Sequence, residues 1–136
     1  MKTKAEVLKE TAYPKLVNAV IRKIGIDSVE DVNNHGIDGG FNGFVYYSDT
    51  VRFFNRNKAD IMGMAESMAK EFGQSAIEMI QGFNCLGNGQ GKERKSDYSL
   101  DEIARAIYSG KGESADIIKN AMAWFAAEEV CRMFEN

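Results

Sequence analysis

A chain of 136 residues with 44% hydrophobic and 27% charged residues has the size and composition of one globular domain, which excludes a disordered or collagen-like polypeptide. Seventeen basic and twenty acidic residues leave a net charge of -3. The pI near 5.2 argues against a basic nucleic-acid-binding domain, whose pI usually exceeds about 9. Residues 1–68 carry nine charges of each sign and residues 69–136 carry eight basic and eleven acidic, too small an excess for a chain-wide DNA mimic.

In chain order, Thr3-Lys4-Ala5-Glu6 has the pattern of a capping box. The helix it opens should stop before Pro14, since Tyr13 is disfavoured from the α region. Pro14 then suits the first turn of a second helix. There Leu16, Val17, Val20, Ile21 and Ile24 make one apolar stripe, and Gly25 stands where a left-handed C′ residue belongs. Ser28 with Asp31 predicts a short helical turn that fades by residue 36. Residues 36–43 hold four glycines and break the helical signal. Phe44-Val45-Tyr46-Tyr47 is the best strand candidate, and Asn42-Gly43 would turn a hairpin if residues 37–41 pair with it.

Helical signals resume at Ser48. Ser48 or Asp49 can cap a short helix holding Val51, Phe53 and Phe54. Asn57 with Asp60 starts a longer one, on which Ile61, Met64, Ala65, Met68, Ala69 and Phe72 keep a 3.6 period until Gly73. Ser75-Ala76-Ile77-Glu78 and Ser99-Leu100-Asp101-Glu102 read as further capping boxes. Residues 86–98 between them read as a polar, glycine-rich loop, and Gly110 as a stop. The last helix runs over about 114–134 on a stripe that includes Ile117, Ile118, Ala121, Trp124, Phe125 and Val130. Six of the seven methionines fall on helix stripes as core filler; an exposed Met–Phe patch would instead mark a homodimer face. The expected fold is mostly α: a single globular domain over 1–136 with six to eight short helices and at most a small hairpin near 37–47. Helices this short need mutual packing.

The chemistry is mostly excluded. Residues 87–93, Gly-Asn-Gly-Gln-Gly-Lys-Glu, are one residue short of a P-loop and carry Glu93 where magnesium needs a hydroxyl. His35 is the lone histidine, and no metal-ligand spacing accompanies it. Cys85 and Cys131 sit among apolar neighbours and read as buried thiols, not a disulfide scaffold. Adjacent carboxylates such as Glu128 and Glu129 point about 100° apart on a helix, so they read as solvated charges. Neither a catalytic residue, nor a metal, nor a cofactor is expected. The charged N-terminus lacks a signal-peptide core and no apolar run spans a membrane; the expectation is a cytoplasmic protein with no membrane partner.

The unusual stretch is 39–57, which holds six aromatics beside glycines and two arginines. Arg and aromatics are the residues enriched at interface hot spots, and they also stack on single-stranded nucleic acid. Phe41, Phe44, Tyr46, Tyr47, Arg52 and Arg56 are the candidate anchors; filling a small core is the alternative use of the aromatics. Lys92, Arg94 and Lys95 add a small basic patch. This stretch, with Gly82-Phe83-Asn84-Cys85-Leu86-Gly87 and Ala123-Trp124-Phe125-Ala126-Ala127-Glu128-Glu129-Val130, resembles a family of uncharacterised short proteins from phages and mobile elements of gut bacteria. The resemblance implies a bacterial host cell, and a function of the kind such proteins often have: inhibition of a host defence complex, of anti-CRISPR or anti-restriction type, or regulation. The leading expectation is a non-enzymatic protein, monomer or homodimer, that docks on a host protein complex. The alternatives are a nucleic-acid-binding regulator and a small enzyme without a recognisable motif.

Overall fold

The computed structural model describes residues 2–25, 47–82 and 98–135. Six α-helices lie among them: α1 (Lys4–Glu10), α2 (Pro14–Ile24), α3 (Tyr47–Lys70), α4 (Ala76–Gln81), α5 (Leu100–Ala104) and α6 (Ala115–Glu135). A π-helical turn, Arg105–Ser109, continues α5. No strand occurs among the described residues. The mostly α expectation therefore holds. The helical turn at Ser28, the glycine break and nearly all of the hairpin lie outside the described residues. Tyr47 does not: it opens α3 instead of closing a strand.

The caps explain where the helices begin. Thr3 Oγ1 accepts the Glu6 amide at 3.2 Å while the Glu6 carboxylate accepts the Thr3 amide, so the box closes both ways. Ser99 and Glu102 do the same for α5. At α4 Ser75 Oγ accepts the Glu78 amide at 3.2 Å. Pro14 opens α2, and Gly25 ends it with φ 75°, a backbone that costs glycine nothing. The end of α3 is a Schellman turn: the Gly73 amide reaches the Lys70 carbonyl and the Gln74 amide the Ala69 carbonyl. The amides of Glu71 and Phe72 bond three residues back, not four. This tighter winding swings Phe72 off the apolar stripe predicted for it, and its ring is 70% exposed.

One core gathers the buried side chains of all six helices. At its centre is α6, most of whose side chains are buried. It packs most heavily on α3 and also meets α1, α2 and the π turn. Its last carbonyls are tied down from the chain start, where the Lys2 amide donates to Phe134 at 2.8 Å. Tyr98, read as the end of a polar loop, is 2% exposed and belongs to the core. Gly63 lets α3 approach the α1–α2 corner closely: a Cβ there would meet the Tyr13 ring at 3.3 Å. Tyr13 Oη lies 3.1 Å from Ser67 Oγ.

Candidate functional site

The first half of α3 has two unlike faces. Thr50, Phe53 and Phe54 are buried, so part of the aromatic-rich stretch fills the core. Ser48, Arg52, Asn55 and Arg56 are exposed, at the i, i+4, i+7, i+8 spacing of one stripe. Arg52 and Arg56 stand one turn apart, about 5–6 Å between Cβ atoms. The stripe ends at a break in the helix: Asn57 has φ -116° and ψ 17°. The Asn57 side-chain amide donates to the Phe53 carbonyl at 2.9 Å. Asn57 thus marks the start of the second helical segment, as its sequence position predicts.

The last turn of α2 brings Arg22 and Lys23 beside this stripe. With Asp49, Arg52 and Arg56 they line a shallow hollow of about 460 Å³, and Lys23 Nζ lies 4.0 Å from Asp49. A second hollow of about 530 Å³, with Tyr47, Val51 and Asp116 on its walls, shares Arg52 and Arg56. A third, about 450 Å³, runs from Arg56 to Lys58, Met62 and Tyr108. Arg56 borders all three. Tyr108, 62% exposed, is presented by the π turn, and the Lys58 ammonium sits 5.4 Å from its ring centre, a cation–π distance.

Five cations, Arg22, Lys23, Arg52, Arg56 and Lys58, therefore follow one another across a surface that holds two carboxylates, Asp49 and Asp116. No ion pair engages Arg22, Arg52 or Arg56 among the described residues. A guanidinium stays charged at any working pH and presents a planar fork of donors that matches carboxylate or phosphate.

Of the anchors expected from sequence, Tyr47, Arg52 and Arg56 come together here; Tyr47 is half-buried. Phe41, Phe44, Tyr46, Lys92, Arg94 and Lys95 lie outside the described residues, as do His35 and Cys85. Sequence reading missed Arg22, Lys23, Lys58 and Tyr108. Arg22 and Lys23 read locally as favourable charges at a helix C-terminus, and only tertiary packing sets them beside α3.

Elsewhere the chain buries titratable groups. Glu128, expected on a solvated face, is 8% exposed, because its part of α6, with Ala126, Ala127, Val130 and Cys131, is packed into the fold. Burial pushes its carboxyl above the usual range, opposed by Arg132. Its neighbour Glu129 pairs with Arg132. Cys131 is free and buried, as expected, and burial, aided by Glu135 and Glu128, pushes its thiol up to about 11. Among the described residues no three His, Cys, Asp or Glu converge as a metal site. Nor is any helix among them long and apolar enough to cross a membrane. A groove of about 590 Å³ between α1, α3 and α6 has Met64, Met68 and Met133 along it.

Residues 6–136 match the model of a protein family described as Domain of unknown function (DUF7222). No curated protein and no solved structure matches the chain.

Proposed function

The chain belongs to this family of unknown function, and we propose that it is a non-enzymatic protein that docks on another macromolecule through the basic face of α3. The observation that carries this reading is the run of exposed guanidinium groups at Arg22, Arg52 and Arg56, none of them in an ion pair among the described residues. In a chain of net charge -3, cations gathered on one face attract a complementary surface and orient its approach. Tyr47, Val51 and Tyr108 border the same hollows and supply the apolar and aromatic area that binding hot spots use with arginine. The resemblance to short proteins of phages and mobile elements supports a host defence complex, of CRISPR or restriction type, as the partner, and the bacterial cytoplasm as the place.

The test is affinity capture from the native host with the wild-type chain and with the Arg52→Glu, Arg56→Glu double variant. Both side chains are exposed, so the variant should keep its circular dichroism and melting temperature. A discrete partner complex retained by the wild type and lost by the folded variant is expected. Equal retention by both would refute docking through this face.

A further inference from the structure

Resting on the docking reading above, we infer that the basic face takes a short carboxylate-rich helical segment of a partner protein, two Asp or Glu side chains one turn apart meeting Arg52 and Arg56. The spacing is the first argument. Arg52 and Arg56 lie at i and i+4, so their Cβ atoms are about 5–6 Å apart. Carboxylates at i and i+4 on a partner helix repeat at the same interval. Each guanidinium can then take one carboxylate through two parallel N–H donors.

The second argument is the distribution of charge around the forks. The face is mixed in sign: Asp49 lies 4.0 Å from the Lys23 ammonium and lines the same hollow as Arg52, and Asp116 lines the neighbouring hollow with Tyr47. A nucleic-acid strand carries a negative charge about every 3.4 Å and would bring phosphates against Asp49 as well as the arginines. A peptide helix places its few acids only where the arginines are. Beyond the face, the chain keeps 12 basic and 18 acidic residues, a surplus that repels a long polyanion and is indifferent to a short mixed segment. One face of Tyr108 is taken by Lys58, which leaves less ring for a base to stack on.

The proposal is tested by fluorescence anisotropy with three labelled probes. One is a capped helical peptide of about 15 residues with Glu at i and i+4 in an Ala/Gln background. The second is the same peptide with both Glu replaced by Gln. The third is an oligothymidylate of the same length. The wild-type chain is expected to bind the Glu peptide saturably, to bind it more weakly as salt rises from about 50 to 200 mM, and to prefer it to the other two. Arg52→Glu should lower its affinity about tenfold or more, a change of about 1.4 kcal/mol. Arg52→Gln, which cannot clash by charge, should lower it less, and Glu71→Gln, remote in the turn after α3, should leave it unchanged. Tighter binding of the oligothymidylate, equal binding of the Glu and Gln peptides, or no binding of any probe each overturns the acidic-helix inference. None of these results decides whether the chain docks, which the capture comparison reads separately.

Discussion

Glu128 is a carboxyl held in a core. Its pKa is raised chiefly by desolvation, so the folded state binds that proton more tightly than the unfolded chain does. The resulting stability is present below the ordinary glutamate range near 4.5 and is lost as pH rises through the higher folded value. Glu128→Gln keeps the shape and removes the charge. It is expected to raise the melting temperature at pH 7 and to give a shrinking gain as pH falls towards 4; thermal melts across that range check it. Cys131 follows the same physics: a thiol pushed up to about 11 is protonated at neutral pH and is a poor nucleophile. Arg52 and Arg56 are the opposite case. They bear full charges that the fold leaves in water, and their removal should change binding and not folding.

The elements were legible in sequence wherever a local rule fixes them. Thr3 and Ser99 close their boxes with Glu6 and Glu102, Pro14 and Gly25 bound α2, and Asn57 marks the break in α3. These are contacts across three or four residues, and their residue types alone specify them. For α5, only five residues long, the cap matters most: Ser99→Ala should cost about 1 kcal/mol and lower the melting temperature by about 3 °C, measured by calorimetry. What local rules could not supply is winding and burial. Phe72 keeps a helical period in sequence, yet three-back hydrogen bonds rotate it into solvent. Glu128 sits in a charged pair that reads as surface, yet its part of α6 is packed into the fold. Tyr47 follows three β-favouring residues and still becomes the first residue of a helix.

At the scale of the molecule, α6 is the element the rest of the described chain is built around, and α3 is both its main packing partner and the bearer of the basic face. Phe53 and Phe54 anchor one side of α3 to the core while Arg52 and Arg56 project from the other, so the site stands on a rigid support. The sequence shows Arg52 and Arg56 as a pair; Arg22, Lys23, Lys58 and Tyr108 join them only through the packing of α2 and the π turn against α3. The central claim, that this face meets a partner, is tested most directly by photocrosslinking in cells of the native host. A photoreactive amino acid is placed at Asn55, between the two arginines, and in a parallel chain at Glu71, which is exposed in the turn after α3. A single discrete adduct from position 55 and none from position 71 is the predicted outcome. An adduct from position 71 with none from position 55 would contradict it.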